Sequence, residues 1–316
     1  MSNSAAEHRH EPNAVRNKEH YDSLFRTTSI ERIVERVRHV DAFLADAIRT
    51  DTSWVALYRD GFRERLRGAR VLELGSGDGL NSLVMAAVGA NVVSIDISNV
   101  ASEVLNEAAA RLGLSARVTA MAGDFAELPF ETNSFDFVVG KAFLHHLTHD
   151  EESRYLAKAA SLLKPNGEVR FAEPAVNSQL LDGLRWLVPV PGRPSWLMRR
   201  AFKAYQAADP HPARDNSSAH YEKHLARYFE SVSVVPFGAL ERLHRLLPAG
   251  EFNRAFRRAA FRAERVLPAP ARNALARAQL IVGRGPRPSL PLPAARQPAG
   301  ADRLAPSAIA ATAEHR

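Results

Sequence analysis

Apolar positions recur at helical spacing from residue 29 onward, where Ile30, Ile33, Val34, Val37, Val40, Phe43, Leu44 and Ile48 fall on one face. Ser29 is placed to cap this helix, although Arg32 rather than an acid stands three positions later. A second helical stretch covers 54–66 and stops at Arg67-Gly68. The period then changes. Short apolar runs at 70–74, 91–95, 117–121, 135–139 and 168–172 read as strands, with helical stretches at 81–88, 98–112 and 148–163. The last of these opens on a capping box, Thr148-His149-Asp150-Glu151. Such alternation predicts a parallel sheet with helices on both faces. Beyond Pro174 it lapses into helical material at 179–188 and 196–207, with a sixth strand at 231–235 and a seventh at 279–282. The expected organisation is a flexible arm (1–28), a helical cap (29–67), a core (68–174), a mixed region (175–282) and a disordered Pro/Gly/Ala/Arg tail (283–316).

The most informative segment is Val71-Leu72-Glu73-Leu74-Gly75-Ser76-Gly77-Asp78-Gly79. It carries a strand into a turn whose glycines permit positive φ and close backbone approach. At a helix N-terminus such a turn can receive an anionic group on free N–H donors. A dinucleotide site asks for G-x-G-x-x-G, whereas the spacing here is G-x-G-x-G with Leu80 in the last glycine's place, which disfavours NAD and FAD.

The segment resembles motif I of the class I S-adenosylmethionine-dependent methyltransferases, and further landmarks of that family occur in order along the chain. Asp96 in Ser94-Ile95-Asp96-Ile97-Ser98 matches the acid that bonds both ribose hydroxyls, a task suited to a carboxylate that accepts from two vicinal hydroxyls. Gly123-Asp124-Phe125 matches the segment that receives adenine, residues 135–147 match motif IV and the stretch after it, and 162–168 match the turn before strand five. The resemblance covers about residues 68–174 and is closest to the small-molecule branch. It implies a doubly wound, seven-stranded Rossmann-like α/β sheet whose last strand runs antiparallel. The stretch between strands six and seven is longer than is usual there, a helical insertion. It also implies S-adenosylmethionine as cofactor, held by Tyr21, Glu73, Gly75, Ser76, Gly77, Gly79, Asp96, Ile97, Gly123, Asp124, Phe125 and Lys141. Glu73 would lie near the amino end of the methionine part, Gly75 and Gly77 beneath the ribose and tail, and Tyr21 would close over the site.

Charge narrows the question of partners. The chain's formal charge is +7, yet residues 61–174 carry 11 basic and 15 acidic side chains, and residues 175–316 carry 22 and 10. The surplus therefore belongs to the part expected to form a lid and the acceptor pocket, and no recognised nucleic-acid module accompanies it, so nucleic acid is not an expected partner. Residues 251–267 place Phe252, Phe256, Ala259, Ala260, Ala263 and Leu267 on one face flanked by arginines. That pattern suits peripheral membrane contact and equally a helix packed on its own domain. There is no cysteine, which removes disulfides, thiolate nucleophiles and cysteine-ligated metals. No run of about 18 apolar residues occurs, and the expected location is cytoplasmic. His145 and His146 are the candidate general bases, since imidazole titrates near neutrality. His211, His220 and His224 match no standard metal spacing and are expected at the surface, with no metal. The apolar stretches around Leu180, Leu184, Trp186 and Trp196 suggest a hydrophobic acceptor under a helical lid. The expected activity is methyl transfer to a small molecule, on oxygen of a hydrophobic or glycolipid-like acceptor. The alternatives are carbon methylation of quinone or sterol type and a non-catalytic cofactor-binding role.

Overall fold

The computed structural model describes residues 13–208 and 211–287. The expected flexible arm contains a helix, α1 (Asn13–Phe25), while residues 1–12 lie outside the described residues. The first long helical pattern is divided into α2 (Ile30–Arg38) and α3 (Val40–Thr50). His39 leaves helical geometry at φ −109° and ψ 42° and serves as the end of one helix and the start of the next. Ser29 caps α2 as expected, accepting from the Arg32 N–H. The 54–66 pattern is likewise split into α4 (Thr52–Leu57) and α5 (Phe62–Arg65), because Asp60 and Gly61 both adopt positive φ.

Seven strands form one sheet: β1 (Arg70–Leu74), β2 (Asn91–Asp96), β3 (Val118–Ala122), β4 (Phe135–Lys141), β5 (Leu163–Pro174), β6 (Phe229–Phe237) and β7 (Ala278–Pro286). Their order is β3-β2-β1-β4-β5-β7-β6, with β7 antiparallel to both β5 and β6 and the rest parallel. β7 runs four residues into the segment assigned to a disordered tail, since β5 and β6 pair with its end at Glu168↔Arg284 and Phe229↔Pro286. The rest of that tail, 288–316, lies outside the described residues. β5 is longer than its apolar run. The register jumps from Phe135↔Leu163 to Phe137↔Glu168, so the predicted Lys164–Gly167 turn bulges out of the strand.

Helices α6 (Leu80–Ala87), α7 (Asn99–Arg111) and α8 (His149–Leu162) cover the sheet. The period of two along β1 assigns its side chains to two cores. Val71 joins Leu83, Val84 and Leu105 on one face, and Leu72 and Leu74 join Val138, Leu156 and Phe171 on the other. Arg170, fully buried, ties the cap to the sheet by donating to the Leu57 and Arg59 carbonyls at 2.6 and 2.7 Å and to Glu168 at 3.0 Å. After β5 come α9 (Gln179–Arg185), α10 (Arg199–Ala207) and α11 (Ser218–Leu225). The insertion before β7 holds α12 (Glu251–Ala263) and α13 (Ala269–Leu275). On α12, Ala260 is buried and Phe261 packs on the core, Arg254 reaches Asp46 at 2.6 Å, and Phe252 stays exposed. No described helix is long and apolar enough to cross a membrane.

The sheet order reverses between β1 and β4, so the chain leaves the carboxyl ends of these neighbours in opposite directions. A crevice opens there, the place where ligands bind in open α/β sheets.

Candidate functional site

The glycine turn lies at this crevice. Gly75 and Gly79 have φ of 68° and 74°. A Cβ on Gly75 would stand 2.3 Å from the Phe143 ring, and one on Gly79 would stand 2.8 Å from Leu105, so both need glycine for space as well as conformation. Five N–H groups of the turn are spent internally. Gly75 and Ser76 donate to the Ile95 carbonyl, Gly77 to Asp96 Oδ2 at 2.9 Å, Gly79 to the Ser76 carbonyl and Leu80 to Asp78. The anion-receiving row of donors suggested by the sequence is thus absent from these positions. A pyrophosphate finds no cradle here, while a cofactor without phosphate needs none.

A cavity of about 290 Å³ fills the crevice. Of the residues expected at the cofactor, Tyr21, Gly75, Gly77, Asp96, Ile97, Gly123, Phe125 and Lys141 line it, and so does His146. Asp96 ends β2 with its carboxylate buried, Oδ1 accepting from Ser98 N–H and Oδ2 from Gly77 N–H, both at 2.9 Å. Burial raises its pKa, an effect that these two hydrogen bonds oppose. Each oxygen keeps a lone pair for a ligand hydroxyl. Phe125 packs edge-on to Tyr155, which stacks on Phe143, giving the far wall an aromatic surface suited to a base. Lys141 sits with Nζ 5.4 Å from the Trp54 ring centre.

Other expected contacts are placed elsewhere. Glu73 alternates onto the Val71 face of β1 and lies beneath α6, accepting from Asn81 Nδ2 at 2.6 Å and from Ser82 Oγ, outside the cavity wall. Burial pushes its pKa up to about 7. Ser76 and Gly79 support the turn without lining the cavity, and Asp124 accepts from Ala126 N–H at 2.8 Å and from the Tyr155 hydroxyl.

α1 covers the cavity. Asn17, Tyr21 and Phe25 form part of its wall, and Ser98 Oγ bonds Asp22. Tyr21 stacks on Phe25 and lies edge-on to His146, with ring centres 5.6 and 5.4 Å apart. Tyr21→Ala is expected to weaken S-adenosylmethionine binding by about 0.5–1.5 kcal/mol through lost aromatic contact; calorimetry checks this, and an unchanged affinity would remove Tyr21 from the site.

The turn Leu144–His146 after β4 is organised by a residue that no sequence motif singles out. Glu173, buried at the end of β5, accepts from the Phe143 and Leu144 N–H groups at 2.8 and 2.7 Å, from His145 N–H at 3.4 Å, and meets His145 Nδ1 at 2.7 Å. A carboxylate at the end of a strand expected in the middle of the sheet was the available signal, since burying one without partners is costly. Ala142, just before this turn, holds a positive φ of 57°. His146 is held neutral: burial first, then the neighbouring His145 and His211, push its pKa far below the ordinary histidine value. The unfolded chain takes up this proton below about pH 6.5 while the folded one does not, so His146 makes stability fall on acidification, by up to about 1.4 kcal/mol per pH unit. His146→Gln should therefore lose less stability than the parent between pH 7 and pH 5 in urea unfolding, and equal losses would refute this.

The histidines expected at the surface are not all there. His224 is buried against Glu152 at 2.6 Å, and His220 is half-buried beside it, with Arg214 also on this carboxylate. His211 stacks on His145 and His146, with ring centres 4.9 and 4.4 Å apart, and the three offer nitrogens within 4.8 Å of one another. Spacing along the chain could not reveal this grouping.

Residues 71–167 match the family described as a methyltransferase domain. The chain is 35% identical over 106 residues to a demethylmenaquinone methyltransferase of Clavibacter sepedonicus, covering 34% of this chain and 41% of that one. It is 37% identical over 130 residues to an arsenite methyltransferase of Aquipseudomonas alcaligenes, covering 38% and 37%. Over 107 residues it is 34% identical to a ubiquinone biosynthesis O-methyltransferase of Ralstonia nicotianae, covering 34% and 44%. The chain thus spans less than half the length of these relatives. Residues 71–167 thus match a methyltransferase domain, and the sheet order, antiparallel β7 and glycine turn are those of the class I S-adenosylmethionine-dependent methyltransferase fold.

Proposed function

We propose that this protein transfers a methyl group from S-adenosylmethionine to oxygen of a hydrophobic or glycolipid-like small molecule. When bound, S-adenosylmethionine supplies a methyl carbon made electrophilic by its positive sulfur. The chain's own residues then have two tasks, to align the acceptor with that carbon and to take a proton from it. Asp96 would hold the ribose hydroxyls, the Phe125 and Tyr155 wall would face the base, and Phe143 over Gly75 would confine the tail. His145 takes the proton. The observation that carries this assignment is the Glu173–His145 contact. It supports the tautomer in which Nδ1–H donates to the carboxylate and Nε2 is free to accept a proton. The residues flanking this contact reach two cavities. His146 lines the cofactor cavity, Glu173 lines a second one, and Ala142 lines both. The second cavity is where the acceptor sits.

Calorimetric titration should give saturable binding of S-adenosylmethionine and none of NADH; heat from NADH alone would overturn the cofactor assignment. His145→Ala should lower methyl transfer by about 10²–10⁴-fold, the usual contribution of a positioned base. In a labelled-methyl assay, turnover unchanged across pH would remove His145 from that role.

A further inference from the structure

The second cavity, about 690 Å³, carries six arginines: Arg185, Arg193, Arg242, Arg245, Arg257 and Arg277. They come from α9, the loop after it, the turn after β6, α12 and the residue before β7, segments up to 92 positions apart in sequence. Few acids offset them. Asp182 meets Arg185 at 2.7 Å, and Glu241 serves both Arg257 at 2.7 Å and Arg277 at 3.3 Å. Arg193 and Arg242 donate only to carbonyls, of Arg185 and Val188 in the first case and Leu275 in the second. Arg193, Arg242 and Arg245 make no ion pair with a described carboxylate. The two acids on the wall itself are committed, Asp51 to capping α4 and Glu173 to the His145 turn. Burial, followed by repulsion among these guanidinium groups, lowers the pKa of Arg193 and Arg242. Cations gathered at such a cost form an anion site awaiting its ligand.

The number of arginines selects the anion. One guanidinium fork matches one carboxylate, whereas three unpaired ones need an anion with more charge and more oxygens, which a phosphate or diphosphate provides. Val188, Leu243 and Leu246 share the wall and are exposed, so an apolar group attached to the anion finds a surface on the same side.

We propose that this cavity binds a phosphate or diphosphate group of the methyl acceptor, placing the rest of that molecule against Ala142, the wall residue shared with the cofactor cavity. The inference rests on the methyltransferase reading for the word acceptor, but the anion site itself is measured without turnover. The full chain saturated with S-adenosylhomocysteine is titrated with farnesyl diphosphate, inorganic pyrophosphate and farnesol. Farnesyl diphosphate should bind at least about tenfold tighter than farnesol, as expected for one charge-assisted contact. A further advantage over pyrophosphate assigns a lipid-linked ligand, and equal affinity assigns a soluble phosphate compound; both uphold the site. Arg193→Gln with Arg242→Gln should weaken the diphosphates about 100-fold and leave S-adenosylhomocysteine affinity unchanged. Arg245→Glu, at an exposed position without a described ion pair, tests the same point with little risk to folding and should cost about tenfold.

A control comes from a separate cavity that also carries six arginines, Arg49, Arg59, Arg258, Arg262, Arg265 and Arg272, but shares no wall residue with the cofactor cavity or the second cavity. Arg262→Gln should leave diphosphate binding within about twofold. Equal affinity for farnesol and its diphosphate, or equal losses from Arg262→Gln and Arg245→Glu, would overturn the proposal. Failure of S-adenosylhomocysteine to bind would instead count against the methyltransferase reading alone.

Discussion

Glu173→Ala should lower folding stability by about 3–5 kcal/mol and cut methyl transfer by at least the factor lost in His145→Ala. Three backbone N–H groups and one imidazole converge on this buried carboxylate. Alanine leaves those donors without an acceptor, at about 1–3 kcal/mol each, less whatever the turn recovers by relaxing toward the cavity. Relaxation has its own cost, because Ala142, Phe143, His146 and Leu147 are cavity wall. S-adenosylmethionine affinity should therefore fall with stability even though Glu173 touches only the neighbouring cavity. Glu173→Gln keeps one acceptor oxygen and turns an amide donor toward N–H groups, so it should fall between parent and alanine variant. Urea unfolding midpoints and calorimetry measure both effects. A stability loss under about 1 kcal/mol would show that water replaces the carboxylate and that Glu173 is not the organiser of the turn.

Asp96→Ala should weaken S-adenosylmethionine binding by about 1–3 kcal/mol, roughly five- to 150-fold. The carboxylate also holds Gly77 N–H, so the variant loosens the glycine turn, and a bare affinity loss does not separate the two roles. A cycle does. With the parent, a 2′-deoxyribose analogue of S-adenosylhomocysteine should bind more weakly than S-adenosylhomocysteine itself; with Asp96→Ala that difference should vanish. A difference that persists would place the ribose elsewhere.

The glycine turn and Asp96 were legible in the sequence because they are local. A strand, a turn with φ > 0 and a second strand ending in a carboxylate lie within 27 residues, and each is dictated by residue type. Glu73 lies off the cavity wall for a geometric reason: one step along a strand reverses the side chain's direction, and Leu74 shares the cavity side while Glu73 shares that of Val71. The breaks at His39 and Asp60-Gly61 were hidden because apolar periodicity continues across them. Glu173 beneath His145, His211 on the histidine pair and the six arginines are products of tertiary folding. They join residues from 28 to 92 positions apart, a range at which spacing carries no geometric meaning until the sheet is ordered. The positive balance of residues 175–316 was visible; that part of it gathers in one cavity was not.

Asp22 on Ser98 and Tyr21 against His146 hold α1 as a hatch over a compartment whose floor is already rigid, because the turn beneath it is hydrogen-bonded to the end of β2 and to itself. A spent cofactor below that hatch leaves no faster than the hatch lifts. Substitutions along α1 should therefore act chiefly on residence time, setting the pace of the cycle at product escape while the bond-making step keeps its own speed.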